Sequence, residues 1–203
     1  MPDAPAPPSP HDLVAVLHVL RLRGLVETDP LAASSGLDHE ALTSVLGNLA
    51  DSELVKRRDG RMPGWMLTPA GRERHAQMLA TAISHAGIDL DAVTQQYADF
   101  IGMNQAVKVV CSRWQDNRDH AATATEVREL AARAVTVTDA LAELIPWFRT
   151  YSPRLSGAAE RFIAGDQDAL TKPLTDSFHD VWMELHQDLL LTLARERSDS
   201  DGV

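Results

Sequence analysis

The sequence predicts a mainly α chain in two parts: a set of short helices carrying one small β-hairpin, then a longer helical bundle. Three observations lead there. Ala and Leu abound while aromatic residues make up only 5% of the chain, so helix is the favoured element. The helix starts are legible. Ser9-Pro10, Asp29-Pro30, Thr68-Pro69 and Ser152-Pro153 each set a capping side chain before a proline, and a proline at the first helical position forfeits no intrahelical hydrogen bond. Beyond residue 90, apolar residues recur at alternating spacings of four and three over two long stretches, the periodicity of helices that pack against one another.

Taken in order, the first helix is expected from about Pro10 to Arg23, with Leu13, Val16, Leu17 and Leu20 on one stripe and Gly24 ending it. A short helix follows from Pro30 to Gly36. Asp38 caps a third, whose inward positions are Leu42, Val45, Leu46 and Leu49. Leu54 to Arg58 and Trp65 to Thr68 read as two short strands, joined by a turn rich in Gly and Pro from Asp59 to Gly64, which makes a hairpin. Thr68-Pro69 opens a fourth helix that reaches about Ala86, where Gly87 breaks it. The next is long, its seam running Val93, Tyr97, Phe100, Asn104, Val107, Cys111 and Trp114. Thr123-x-x-Glu126 has the spacing of a capping box for its successor, which carries Val127, Ala131, Ala134, Thr138, Leu141 and Ile145 until Pro146 kinks or ends it. A shorter helix fits Pro153 to Ala164. The last is expected from about Pro173 to Arg197, burying Phe178, Val181, Trp182, Leu185 and Leu189. Residues 1–9 are Pro-rich and expected to be disordered, and the polar tail 198–203 to be frayed. The expected domains are therefore 10–86 and 88–197.

Composition narrows the function classes. Hydrophobic residues at 44% and charged residues at 24% are ordinary for a soluble globular protein. The single cysteine, Cys111, has no intrachain partner, and a reducing compartment is the natural expectation. The first residues carry an acid and no base, with no apolar stretch behind them, and no run approaches a membrane span. A cytoplasmic, membrane-free protein is expected. No phosphate-binding glycine loop, nucleophile elbow, paired-cysteine metal site or His-Glu zinc motif occurs, so neither catalysis, a cofactor nor a metal is expected. The formal net charge of −10 is unevenly spread: residues 1–85 hold 8 Lys and Arg against 10 Asp and Glu, whereas residues 86–203 hold 11 against 19. Any binding to phosphate must therefore use local basic groups in the first part.

The order helix, short helix, helix, hairpin, helix is that of a winged helix-turn-helix. Asp29-Pro-Leu-Ala-Ala-Ser-Ser-Gly36, the Leu42, Leu46, Leu49 spacing, Leu54-Val55 and Leu67-Thr-Pro-Ala-Gly71 together resemble bacterial regulators of the MarR and PadR type. The resemblance covers about residues 11–86. About 115 residues remain beyond it, more than those families usually place after the wing. It implies that the third helix enters the major groove and that the hairpin contacts the flanking backbone. With the apolar positions inward, His39, Glu40, Thr43, Ser44, Gly47 and Asn48 face out. Asn48 suits adenine, and His39, Thr43 and Ser44 suit base edges or phosphates. Lys56, Arg57, Arg58 and Arg61 form the densest basic cluster in the chain. They suit phosphates; the plainer reading is that they solubilise a hairpin edge.

In the second part Asp176, Asp180, Glu184 and Asp188 follow one another at four-residue spacing, an acidic stripe on one expected helix. Its readings are a solvated face or a face offset by Arg149, Arg154 or Arg161, by a partner, or by a metal. His179 and His186, seven apart, read as interfacial histidines. Asn104 is the one polar residue of the long seam and either fixes packing register or orients a ligand. With Arg113, Trp114, Trp147 and Arg149 it makes a candidate site for a small aromatic or anionic effector; a solid aromatic core is the other reading. Cys111 reads as a small buried hydrophobe.

These readings converge on a DNA-binding transcriptional regulator, expected as a homodimer on double-stranded DNA, with the helical part for dimerisation and effector sensing. The alternative is a protein-interaction module that does not bind DNA, which the acidic balance favours. A third reading is a helical accessory or catalytic domain carrying a wing module.

Overall fold

The structure is a computed structural model, and it describes residues 8–196. Apart from Pro8 and Ser9, the expected disordered start and frayed tail lie outside the described residues. The chain is mainly helical, with one two-stranded antiparallel hairpin. It divides into two compact units, residues 1–86 and 87–203.

In the first unit α1 (Pro10–Arg23), α2 (Thr28–Ser35) and α3 (His39–Asp51) precede β1 (Val55–Arg58) and β2 (Gly64–Leu67), and α4 (Pro69–Ala86) closes it. The core gathers Val16, Leu17 and Leu20 of α1, Leu31 of α2, the four apolar positions of α3, and Val55 and Leu67 of the hairpin. Ser9 caps α1 by accepting from the Asp12 amide, and Asp38 caps α3 by accepting from the Ala41 amide. The expected Asp29 cap on α2 is displaced: the helix starts at Thr28 after Glu27, with no side-chain cap. Pro30 then stands in the first turn, where an absent amide costs no intrahelical bond. Between α1 and α4 the His18 Nδ1 and His75 Nε2 atoms lie 3.0 Å apart.

The hairpin pairs Val55 with Leu67, Lys56 with Met66, Arg57 with Trp65 and Arg58 with Gly64. Val26 adds an isolated antiparallel bridge to Trp65, an extension of the sheet that a two-strand reading misses. Gly64 makes this possible. Its φ is +155°, and a Cβ there would stand 2.9 Å from the Val26 carbonyl oxygen.

In the second unit α5 (Leu90–Asn117) and α6 (His120–Leu144) are followed by a 3₁₀ segment (Pro146–Thr150), α7 (Tyr151–Ile163), the four-residue α8 (Asp168–Thr171) and α9 (Phe178–Thr192). The expected seam of α5 is buried throughout, as are the five apolar positions expected on the last helix. Three expected starts are corrected. α6 begins at His120 with Asp119 as its cap, and Thr123, fully buried, turns its hydroxyl back to the Asp119 carbonyl instead of opening the helix. Ser152 caps nothing, because the 3₁₀ segment runs straight into α7; its hydroxyl bonds Thr138 at 2.6 Å and donates to Asp139. The last helix begins at Phe178 with Ser177 as its cap, not at Pro173. The intervening loop contains Leu174 at φ 63° and Asp176 at φ 50°, a left-handed geometry that no helix continues through.

Candidate nucleic-acid interface

α3 and the hairpin stand on one small core, and the joint between them and α4 is built by four residues. The Thr68 amide donates to the Leu54 carbonyl, and the Thr68 hydroxyl donates to the Glu53 carbonyl at 2.7 Å. The same hydroxyl oxygen accepts from the Gly71 amide at 3.0 Å, capping α4. Gly71 then lies so close to Leu54 that a Cβ would fall 1.9 Å from its carbonyl oxygen. The Leu67-Thr-Pro-Ala-Gly71 sequence thus fixes how the end of the α3 connection, the returning strand and α4 meet.

On α3 the residues opposite the core are Glu40, Ser44, Gly47 and Asp51, flanked by His39, Thr43 and Asn48. All are exposed except Ser44, which is half-buried. The stretch from Thr43 to Asn48 is uncharged. Thr43 folds its hydroxyl back onto the His39 carbonyl at 2.6 Å, so it stands low on the helix. The His39 imidazole lies 3.7 Å from the Asp29 carboxylate, both exposed. Gly47 has open space where a Cβ would be. A glycine inside a helix costs about 1 kcal/mol relative to alanine, and nothing within this unit requires it.

Lys56, Arg57, Arg58 and Arg61 are all exposed. Strand alternation sets Lys56 and Arg58 on one face and Arg57 on the face of Val55. Arg57 lies 3.3 Å from the exposed Asp59 carboxylate; Lys56, Arg58 and Arg61 form no ion pair among the described residues. Hydrated, unspent cations of this kind neutralise phosphates.

No family model, curated protein or solved structure matches the chain.

The expected effector residues of the second unit are not brought together. Asn104 accepts from the Trp182 indole N–H at 2.9 Å, which fixes the register of α5 on α9. Trp114, fully buried, packs edge-on against Phe162 and beside His120 at the start of α6. Trp147 follows the far end of that helix, and 25 residues of α6 span about 37 Å. The cation over the Trp114 ring is Arg118, at 5.0 Å. Arg113 instead reaches Glu126 of α6 at 2.6 Å, and Arg149 is exposed in the 3₁₀ segment. The five residues therefore occupy separate surroundings, and the aromatic rings fill core. Cys111 is buried too, and burial pushes its thiol up to about 12.

Of the readings of the acidic stripe, the structure shows the one offset by Arg154 and Arg161, although the four acids do not share one helix face. Asp176 precedes α9, and the others face different partners. Arg154 of α7 donates to both Glu184 carboxylate oxygens, at 2.7 and 2.8 Å, and to Asp176 at 2.9 Å. Burial opposes its charge, but Glu184 and then Asp176 outweigh that and raise its pKa. Arg161 donates to the Asp176 carbonyl, and Asp180 accepts from the Thr175 amide. Asp188, 1% exposed, accepts from the Tyr151 hydroxyl at 2.8 Å. Burial first, then the charges of Asp188 and Glu184, hold that phenol well above its usual range. The sequence offers Arg154 and Arg161 among three candidate arginines, but spacing gives no sign of the Tyr151 bond to Asp188, because α7 supplies that partner. His186 is buried beside Tyr97 and Phe100, with 3.4 Å to the Tyr97 hydroxyl. Among the described residues no group of three or more His, Cys, Asp or Glu is placed to hold a metal ion, and no helix is long and apolar enough to cross a membrane.

Proposed function

We propose that the chain is a DNA-binding transcriptional regulator whose first unit is a winged helix-turn-helix. α3 is its groove-entering helix, and the β1–β2 hairpin is the wing that neutralises phosphates. The observation that carries this reading is the pairing, on one small core, of an uncharged polar helix face from Thr43 to Asn48 with four exposed cations on the hairpin. Phosphate contacts position such a module and base contacts specify its site. Asn48 and Ser44 are the base readers, with Thr43 and His39 at the flank; Lys56, Arg57, Arg58 and Arg61 are the phosphate contacts. One such module contacts few phosphates, so the protein acts as a homodimer on two half-sites, with the second unit supplying the dimer contact. Retention of labelled double-stranded DNA across a salt series tests the assignment: affinity must fall steeply as salt rises. Sedimentation at micromolar concentration tests the dimer, and a single-chain mass there would refute it.

A second reading has an observation of its own. Glu40 and Asp51 are exposed at the two ends of the outward face of α3, and the aspartate Asp38 occupies its N-cap. Acids there repel phosphate, and they favour a winged helix that docks onto a basic protein surface. Failure to retain DNA even at low salt would select that reading.

A further inference from the structure

We propose that Gly47 is the point of closest approach between α3 and the DNA duplex, an inference that rests on the DNA-binding reading above. Gly47 lies in mid-helix, on the side of α3 opposite Leu42, Val45, Leu46 and Leu49. It is exposed, its φ is not positive, and a Cβ built on it meets nothing within 4 Å. Neither backbone conformation nor crowding inside the chain calls for glycine, so the helix gives up stability there for no internal return.

The surroundings repeat the theme of low relief. Thr43, one turn before Gly47, is tied back to the His39 carbonyl, and Ser44 is half-buried. Asn48 is exposed at the flank of the gap, and the exposed Asp51 stands one turn further on, at the end of the helix. A duplex pressed against this face meets helix backbone at Gly47 and meets the Asn48 amide and Ser44 hydroxyl on either side of it. A missing side chain lets the helix axis sit deeper in the groove, which brings a short amide within reach of an adenine edge. A Cβ at residue 47 lifts the helix and lengthens those contacts while leaving the hairpin free to find phosphates.

The test compares the full-length wild type with Gly47→Ala, Gly157→Ala and the double variant Arg57→Ala/Arg58→Ala. Gly157 is the control: it is a helical glycine of α7 that also has nothing within 4 Å of a built Cβ. The probes are two fluorescein-labelled duplexes of ~40 base pairs, one of mixed sequence and one selected by the wild type from a random-sequence pool, titrated from about 50 mM salt upward. Gly47→Ala is expected to melt no lower than wild type and to bind the selected duplex about 10-fold more weakly, with an unchanged salt slope, because every phosphate partner is still in place. Gly157→Ala is expected to bind as wild type. If Gly47→Ala binds the selected duplex as wild type does while the arginine double variant is weakened, the close-approach inference falls and the DNA reading stands. If wild type itself is not retained at low salt, the DNA reading falls and takes this inference with it. A Gly47→Ala protein that melts lower than wild type also overturns the inference, because the space at residue 47 would then be filled from within the chain.

Discussion

The hairpin of the first unit and the packing of α7 on α9 in the second handle charge in opposite ways. On the hairpin, Lys56, Arg58 and Arg61 are exposed and form no ion pair among the described residues, while Arg57 meets only an exposed aspartate. In the second unit Arg154 is 20% exposed and spends its guanidinium on Glu184 and Asp176, stacked near the Tyr151 ring at 5.7 Å. A cation buried with well-placed acceptors is committed to the fold, because removing either partner leaves a charge that water cannot reach. A hydrated cation on a hairpin edge adds almost nothing to stability and remains available to something else. The same residue type is thus committed to the fold between α7 and α9 and left hydrated on the hairpin.

The largest expected effect sharpens that contrast. Arg154→Ala takes both guanidinium hydrogen bonds from Glu184, whose side chain is 15% exposed, and should destabilise the second unit by about 3 kcal/mol, read from chemical denaturation. Arg154→Met with Glu184→Gln should cost much less than the single change, since the uncompensated charge disappears. A single-variant loss near zero would put Arg154 in the same class as the hairpin cations.

Next in size, Gly71→Ala should destabilise the first unit by roughly 2 kcal/mol, the cost of forced overpacking, because its Cβ would overlap the Leu54 carbonyl. Thr68→Ala removes the hydroxyl that caps α4 and should cost about 1 kcal/mol. Thermal melts of the two variants give both numbers, and Gly71→Ala must be the worse.

The thiol and phenol of the second unit give a pH test. Cys111 has its pKa raised from 9.0 to about 12 by burial, and Tyr151 is also raised. Both groups hold their protons more tightly when folded. Their stabilising contribution is therefore complete below the unfolded values and is lost as pH rises through the folded ones. Stability should fall as pH climbs from about 9 towards 12, and Cys111→Ala should flatten that fall. Native Cys111 should also resist a thiol reagent at about pH 8, where a buried thiol is inert, and react once the chain is unfolded. Rapid labelling of the native protein would contradict its burial.

The smallest expected change in stability belongs to the hairpin. Arg57→Ala with Arg58→Ala should shift stability by no more than about 0.5 kcal/mol. The same double change should flatten the salt dependence of DNA retention by about 0.9 for each phosphate no longer neutralised. A large drop in stability without any change in salt slope would reverse the comparison between the hairpin and the α7–α9 packing.

Much of this fold is legible without the structure, because its cues are local. Ser9, Asp38 and Thr68 cap helices through amides three residues away, and the four-three seam of α5 records which side of one helix is dry. The outward face of α3 and the basic hairpin are legible for the same reason. Where the local cue had a competitor, it misled. Thr123 matched a capping box, but Asp119 offers a carboxylate at a start further upstream; Ser152 preceded a proline, but the helix before it never opened an end.

What tertiary structure alone decided are the long-range pairings. The acidic stripe became three separate sites because α7 brings Arg154 and Tyr151 to Glu184 and Asp188 across 30 and 37 residues of sequence. Asn104 proved to be a register bond because Trp182, 78 residues away, donates to it. Trp114 and Trp147 were separated by the rigid length of α6. Periodicity in a sequence reports which side of an element is buried; which buried groups meet depends on how elements pack, and no residue's neighbours in sequence carry that information.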